Sequence, residues 1–442
     1  MTVATAARAG SADRVLAAGE VRAFVLEQLA GLDLDGRSVC VLVPDATRVC
    51  PLPLLVGAVH EALHGRVSRL TVLIALGTHG AMPAPALVAH LGGTYPGLEV
   101  RNHEWWDPAT FANLGTIPSS RIEELSGGRM SGDVEVRLNR AVVEHDVALV
   151  VGPVLPHEVV GMSGGNKYFF PGVAGQEIID VSHWLGALIT SAEIIGTTGL
   201  TPVRALINDG AALIPAEKYA FSVVTADVDG AGKMSYPGAS IAPPTRVGAV
   251  SGGENSGLHS ISFGDCVSSW ASAAEISAAT HVTYLDRPVR RVLSLVPRMY
   301  DEIWTGAKGF YKVEPIVADG GEVILYAPHI REIASSHPQI HEIGYHCRDY
   351  FVKQWDRFEH VHWGVLAHST HLRGAGTYDQ ASGQEHLRVR VTLATGIPAD
   401  VCESVNLGYL DPATVDVDAF AADPGTLVVP RAGEMLYRLR RR

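Results

Sequence analysis

Two histidines flank a glycine-rich turn in this 442-residue chain. His157 precedes a Ser-Gly-Gly-Asn-Lys run that ends at Lys167, and His183 follows it. Glycines in such a turn let backbone N–H groups approach an anion closely, and the lysine adds an amine. The run is not a Walker A loop, because Tyr168 follows the lysine. It is not an H-E-x-x-H zinc helix either, because Gly161 stands in place of the second histidine. An anion site and a plain structural turn both remain open.

Polar residues follow two strands that the sequence predicts. His79 comes after the apolar run 70–76, and Asp45 and Arg48 come after the run 38–44. Ligands bind at the carboxyl ends of parallel strands, so chemistry is expected at both places. Arginine is a two-pronged donor for carboxylate or phosphate, and Asp45 is suited to a ribose hydroxyl. A salt-bridged turn and a structural histidine are the simpler alternatives.

Apolar runs of strand length alternate with helix-like stretches in the first part of the chain. Residues 38–44, 70–76 and 147–152 are apolar at consecutive positions, and residues 52–64 have the apolar spacing of a helix. Strands that are apolar on both faces and separated by helices are typical of a mostly parallel sheet covered on both sides.

The same alternation resumes in the last third of the chain. Strands are predicted at 289–296 and 322–327, a helix from about Asp301, and a turn at the Asp-Gly-Gly run 319–321. This pattern indicates a second α/β unit.

The composition narrows the class of protein. Hydrophobic residues make up 47% and charged residues 19% of the chain, which is typical of a protein with large cores. The formal net charge of -12 argues against nucleic acid or an anionic membrane as a partner. The five cysteines form no C-x-x-C pair, so neither a disulfide framework nor a thiolate zinc site is expected. This use of cysteine predicts a cytoplasmic protein.

The sequence contains no apolar run of ~18 residues free of charge. We therefore expect no membrane-spanning helix and no membrane partner.

Taken together, these segments resemble the nickel-dependent lactate racemase family. The D-x-x-R motif of that family matches Asp45 and Arg48, and its G-T-H motif matches His79. Its H-x(5)-S-G-G-x-K-x(3)-P-G segment matches residues 157–172. The likeness covers the chain from about residue 40 to residue 360, and the 157–183 block is its most specific part.

The resemblance implies a role for each of these side chains. His79 and His157 would be the two catalytic histidines, Lys167 would carry the tethered cofactor, and His183 would bind nickel. The implied cofactor is a nickel-pincer nucleotide, a nickel complex of pyridinium-3,5-bisthiocarboxylic acid mononucleotide. It takes a hydride from C2 and returns it to the opposite face. The chain would then be an isomerase that inverts the C2 carbinol centre of a 2-hydroxy acid.

The resemblance also implies two overlapping sets of contacts. Residues expected to contact the cofactor, besides Lys167, are Asp45, Ala46, Thr47, Arg48, Thr305 and Lys308. Residues expected to contact the substrate are Arg48, Lys308, Trp304 and Trp355. Without the resemblance, Lys308 would be taken for a solvated helix lysine.

Several positions depart from the lactate racemases. Thr305 stands where the family has glutamine, Trp304 replaces a tyrosine, and Lys353 precedes the Gln354-Trp355 pair where aspartate is expected. These departures leave open a C2 epimerase of a sugar or an aldonate. The histidines at 360, 362, 368 and 371 match nothing in the family, so they either shape a different substrate pocket or lie on the surface.

We therefore predict an α/β protein of two α/β domains with mostly parallel sheets and the active-site cleft between them. Residues 1–280 would form a Rossmann-like domain with the lysine, the nickel ligand and both catalytic histidines, and residues 285–442 would close the site. The expected partners are a small hydroxy acid or polyol substrate and the proteins that make the cofactor. A non-catalytic nickel or cofactor carrier is a rival. An NAD-dependent dehydrogenase lacks support, because no G-x-G-x-x-G follows the first strand.

Overall fold

The computed structural model describes residues 6–226, 249–250, 254–433 and 435–440. The larger of its two main sheets has seven strands in the order β1-β7-β6-β5-β2-β3-β4. In chain order these are β1 (Ala7–Gly10), β2 (Ser38–Pro44), β3 (Arg69–Ala75), β4 (Leu98–Asn102), β5 (Val147–Pro153), β6 (Glu217–Thr225) and β7 (Leu258–Gly264).

This sheet is mostly parallel, as predicted. Strands β2 to β6 are mutually parallel, and β7 is antiparallel to both of its neighbours. The chain passes from β2 outward to β3 and β4, and then returns to the other side of β2 with β5. The direction of the strand order therefore reverses between β2 and β5, and a ligand crevice is expected at this point.

The second sheet has five strands, all parallel, in the order β11-β10-β9-β8-β12. They are β8 (Val289–Leu295), β9 (Val317–Ala327), β10 (Val389–Thr395), β11 (Gly408–Tyr409) and β12 (Thr426–Val429). The prediction of a turn at 319–321 is wrong, because β9 runs through these residues. The register against β8 shifts there, and Gly320 has φ +78°, so the Asp-Gly-Gly run forms an irregularity within a strand.

The longer helices cover these sheets. They are α1 (Ala18–Ala30), α2 (Leu52–Leu63), α3 (Ala84–Leu91), α4 (Ser119–Ser126), α5 (Gln176–Ile189), α6 (Pro202–Ala212), α7 (Cys266–Thr280) and α8 (Trp363–Arg373). Short α-helical segments lie at Arg140–Val143, Ser191–Ile194, Ile303–Gly306, Lys308–Tyr311, Gln339–Ile343, Arg348–Val352, Trp355–Phe358, Ala399–Ser404 and Val417–Ala422. Short 3-10 turns lie at Pro108–Thr110, Gly165–Tyr168, Glu314–Ile316 and Pro412–Thr414.

Five small strand pairs complete the described structure. They join Arg14–Val15 to Ala249–Val250, Phe111–Ile117 to Val134–Asn139, Pro156–His157 to Gly161–Met162, Val282–Leu285 to Leu436–Leu439, and Gly376–Asp379 to Gln384–Leu387.

The two halves of the chain share one core. Helix α8 from the second half packs along α5 from the first, and a continuous apolar cluster contains buried residues of both. The α/β class and the mostly parallel sheets are confirmed, while the boundaries 1–280 and 285–442 stay predictions. None of the helices among the described residues is long and apolar enough to cross a bilayer.

Candidate active site

A cavity of about 1230 Å³ opens where β2, β3 and β5 end, at the point where the strand order reverses. The last residues of these strands, Pro44, Ala75 and Pro153, line it. The second half of the chain supplies the opposite wall from residues 304–311 and from α8. The wall includes most of the site residues predicted from the sequence, namely Asp45, Arg48, His79, His157, Lys167, His183, Trp304, Thr305 and Lys308.

Asp45 and His79 form a hydrogen-bonded pair at the ends of adjacent strands. The Nδ1 of His79 lies 2.5 Å from Oδ2 of Asp45, and the other carboxylate oxygen accepts from the backbone and the hydroxyl of Thr47. Burial alone would raise the pKa of Asp45, but the bond with His79 and the nearby Arg48 outweigh it and hold the pKa well below its usual range. An ionised Asp45 accepts the Nδ1 proton, which leaves Nε2 of a neutral His79 as a proton acceptor.

His157 lies in the small hairpin that follows β5. Its Nδ1 accepts a hydrogen bond of 3.1 Å from the backbone N–H of Val159, and Glu158 lies 3.5 Å from the same nitrogen. Burial lowers the pKa of His157 well below the usual value, so the ring is neutral near pH 7. With Nδ1 acting as an acceptor, the neutral ring carries its proton on Nε2.

The glycine-rich turn holds Lys167 on the cavity wall. Gly164 and Gly165 both have positive φ, and a Cβ on Gly165 would meet the carbonyl oxygen of Cys266 at 2.7 Å. Only glycine fits this conformation at this close approach to α7. Burial, with Arg48 nearby, lowers the pKa of Lys167 to about 8, so part of its amine is neutral and nucleophilic at physiological pH.

A buried arginine holds the glycine-rich turn in place. This arginine was not singled out from the sequence. The Arg204 guanidinium, on α6, donates to the carbonyls of Met162 and Gly164 and stacks on the ring of Trp270 at 4.1 Å. Trp270 in turn donates to the Ser163 carbonyl. Nothing about an isolated arginine in a helix indicates such a role, because it depends on tertiary packing.

His183 is held in a form that suits a metal ligand. It lies on α5, and its Nδ1 donates a hydrogen bond of 2.7 Å to the backbone carbonyl of Ile179. Burial lowers its pKa, so the ring is neutral and Nε2 keeps a lone pair. No group of three or more metal-binding side chains converges among the described residues. A metal bound here would therefore need further ligands from a cofactor.

Two further cations face the cavity. Arg48 and Lys308 line it and also line an adjoining cleft of about 1170 Å³, where Lys312 and Arg431 are found as well. Burial, with Arg48 nearby, lowers the pKa of Lys308 to about 7. This concentration of cationic groups on a partly buried wall suits the carboxylate or phosphate of a ligand.

Trp304 forms an aromatic stack at the mouth of the cavity. Its ring lies between His337 and His368, with ring centroids 3.8 Å apart on both sides. The hydroxyl of the neighbouring Thr305 donates to the Glu302 carbonyl. The stack fixes the position of a large ring in the cavity wall.

Part of the chain matches a known protein family. The lactate racemase N-terminal domain family matches residues 25–196. A lactate racemase of Thermoanaerobacterium thermosaccharolyticum is 26% identical over 162 residues, which is 36% of this chain and 34% of that enzyme. Residues 25–196 are therefore similar to the N-terminal domain of lactate racemases.

Solved structures extend the likeness to nearly the whole chain. A Thermotoga maritima protein solved by a structural genomics consortium is 30% identical, with a TM-score of 0.83, over 96% of this chain and 98% of that one. The lactate racemase apoprotein of T. thermosaccharolyticum has a TM-score of 0.67 at 16% identity, over 96% of this chain and 94% of that one. The second match concerns the fold alone.

Three residues predicted from the family resemblance lie outside the cavity wall. Ala46 is exposed, and Thr47 bonds to Asp45 and faces the adjoining cleft. Trp355, expected at the substrate, stacks instead on Trp184 at 5.4 Å and packs edge-on against Trp363. Trp355 therefore packs against α5, the helix that carries His183, and does not line the cavity. The segment that follows β9 brings it there.

The structure also brings four further side chains into the cavity wall, and for the two histidines among them the sequence leaves both a substrate pocket and the surface open. They are Glu158, Tyr311, His368 and His371. The two histidines lie three residues apart on α8, and this helical spacing is the signal that places them on one face. His360 and His362 are exposed, so the histidine-rich segment divides between the cavity and the surface.

Proposed function

We propose that this chain is a racemase or epimerase that inverts the C2 carbinol centre of a 2-hydroxy acid with a nickel-pincer nucleotide tethered to Lys167. The observation that carries the proposal is the convergence of His79, His157, Lys167 and His183, from four separate segments, on one cavity. His79, Lys167 and His183 also have the hydrogen bonding or protonation that their proposed roles require.

The residues present fit the cofactor. Lys167 offers a partly neutral amine for a thioamide link, and His183 offers an Nε2 lone pair for nickel. Arg48 and Lys308 are placed to bind the nucleotide phosphate or the substrate carboxylate. When bound, this cofactor supplies a reversible acceptor for the C2 hydride.

The two histidines supply the proton chemistry. His79 takes the hydroxyl proton at Nε2, and the Asp45 carboxylate stabilises the imidazolium that results. His157 faces the same space and serves the hydroxyl in the opposite configuration. With its proton on Nε2 the ring donates to the hydroxyl oxygen, and it becomes a base at Nε2 only in the other neutral tautomer, whose Nδ1–H would face the Glu158 carboxylate 3.5 Å away.

The test is an assay of chain produced together with the cofactor-making proteins. Each pure enantiomer of a set of 2-hydroxy acids is incubated with the loaded chain, and both enantiomers are quantified by chiral chromatography. We expect inversion by the wild type, and none by the double variant His79→Ala plus His157→Ala, which should still load the cofactor. Loading without inversion of any acid would instead identify a cofactor carrier.

A further inference from the structure

Glu158 is a largely buried carboxylate, with 15% of its side chain exposed, and it has few hydrogen-bond donors. Its Oε1 accepts a hydrogen bond of 3.2 Å from the Tyr311 hydroxyl, and no other described side chain donates to it. The nearest histidine nitrogen, Nδ1 of His157, already accepts from the Val159 N–H and so has no proton to give in the neutral ring. A carboxylate can accept about four hydrogen bonds, so most of this capacity is unused by side chains.

The carboxyl group is nevertheless ionised. Burial by itself would raise the pKa of Glu158, but the neighbouring His157 and Lys308 outweigh it and hold the pKa well below its usual range. A buried charge with so few donors is costly unless a ligand completes its hydrogen bonds. Because Glu158 lines the cavity, the ligand that reaches it should carry hydrogen-bond donors.

The helix on the far side of the cavity offers neutral groups. His371 lines the cavity, and its Nε2 has no hydrogen-bond partner among the described residues. Burial lowers the pKa of His371 to about 4 and that of His368 well below its usual value, so both rings are uncharged near pH 7. A neutral imidazole can donate to or accept from a hydroxyl, but it gives no charge to a second carboxylate.

We propose that Glu158, together with His371, recognises a hydroxyl group beyond C2, so that the preferred substrate is a polyhydroxy acid rather than lactate. This inference rests on the proposed function. The methyl group of lactate has no donor for Glu158, and a second carboxylate, as in malate, would be repelled by it. Arg48 and Lys308 remain available for the C1 carboxylate.

The test compares substrates on the nickel-loaded chain. We expect kcat/KM to be higher for gluconate and glycerate than for lactate, and lowest for malate. Glu158→Gln should lower the gluconate-to-lactate ratio of kcat/KM by about tenfold, since a hydrogen bond to a charged group is lost. Glu322→Gln is the matched control, because Glu322 has the same 15% side-chain exposure but lies on the second sheet, and its ratio should equal that of the wild type.

Each alternative gives a different result. Equal losses for gluconate and lactate in Glu158→Gln would mean that Glu158 only positions His157. Loss of the Lys167 adduct and of nickel would mean that it binds the cofactor. A wild type that prefers lactate would overturn the inference and leave the proposed function standing, whereas no turnover of any acid would remove both. If Glu158→Gln does not fold, His371→Leu should show the same fall in the ratio.

Discussion

The two histidines proposed as catalytic differ in how their rings are held. Nδ1 of His79 faces the Asp45 carboxylate, so the neutral ring presents a lone pair at Nε2. Nδ1 of His157 accepts from the Val159 N–H, so the neutral ring presents an N–H there. One side of the cavity therefore presents a proton acceptor and the other a hydrogen-bond donor.

Replacement of Asp45 tests this asymmetry. Asp45→Asn should lower kcat/KM by about 10²- to 10⁴-fold, because an amide neither fixes the Nδ1 proton nor stabilises the imidazolium. Cofactor loading, measured by mass, should stay at the wild-type level. Thr47→Val removes only a hydroxyl that bonds to Asp45 and should cost far less. Full activity in Asp45→Asn would show that this carboxylate only holds the turn at Thr47 and takes no part in the reaction.

The sequence was informative for some residues of the site and silent on others. His79, His157, Lys167 and His183 lie in short contiguous motifs, so they could be singled out from the sequence. Glu158 could not be recognised, because an acidic residue beside a histidine gives no sign of whether it will be buried. Its environment depends on Tyr311, which is 153 positions away in the chain.

At the scale of elements, one carboxylate joins the helix of His183 to the helix on the opposite wall. Asp180 on α5 accepts a hydrogen bond of 2.9 Å from the Gly364 N–H in the first turn of α8, and lies 3.3 Å from Nδ1 of His362. A carboxylate at a helix N-terminus satisfies an otherwise unpaired N–H and interacts favourably with the helix dipole. Asp180 therefore helps to hold the two halves of the cavity together.

Removal of this contact should destabilise the protein. Asp180→Ala is expected to cost about 0.5–2 kcal/mol of unfolding free energy, measured by urea denaturation. Asp356→Ala, at an exposed position in the segment Trp355–Phe358, is the control and should change little. Equal midpoints for the two variants would contradict the role of Asp180 as a cap between helices.

The success of the strand predictions depended on burial. Strands β2, β3 and β5 are apolar at nearly every position, so their bounds could be read to within about a residue. The Asp-Gly-Gly run at 319–321 has the composition of a turn, but pairing with β8 and β10 keeps it within a strand. Tertiary pairing of this kind overrides local preference and has no local signal.

At the scale of the molecule, the fold buries several histidines in neutral form. His103 is completely buried and His371 is 4% exposed, and burial lowers the pKa of each to about 4. In the unfolded chain such rings titrate near ~6.5. Between pH 4 and 6.5 the unfolded chain therefore binds protons that the folded chain does not, so stability is lost as the pH falls through this window.

The loss of stability at acid pH should be measurable, and part of it should be assignable to the ring of His371. We expect the unfolding free energy to fall below pH 6.5 by up to about 1.4 kcal/mol per pH unit for each such histidine. His371→Phe should have a shallower dependence than the wild type, and the exposed-site control His360→Phe should follow the wild type. Parallel curves for the two variants would show that His371 is not buried as a neutral ring.

The convergence of both halves of the chain on one cavity is also a property of the whole molecule. The motif segments of the first half predicted one wall, and the family resemblance added Trp304, Thr305 and Lys308 from the second half, but Tyr311 beside them could not be predicted from the sequence. Trp355 shows the difference, since a residue near the site in sequence pattern packs against Trp184 instead. The packing of α8 on α5 places His368 and His371 in the cavity wall.

The central claim is that Lys167 carries a nickel-bearing nucleotide, and peptide mass spectrometry with metal analysis tests it most directly. Chain produced in cells that make the cofactor should show a nucleotide-sized adduct on Lys167 and nickel approaching one ion per chain, and Lys167→Ala should show neither. An unmodified Lys167 without nickel, in cells where a known member of the family is loaded, would contradict the account.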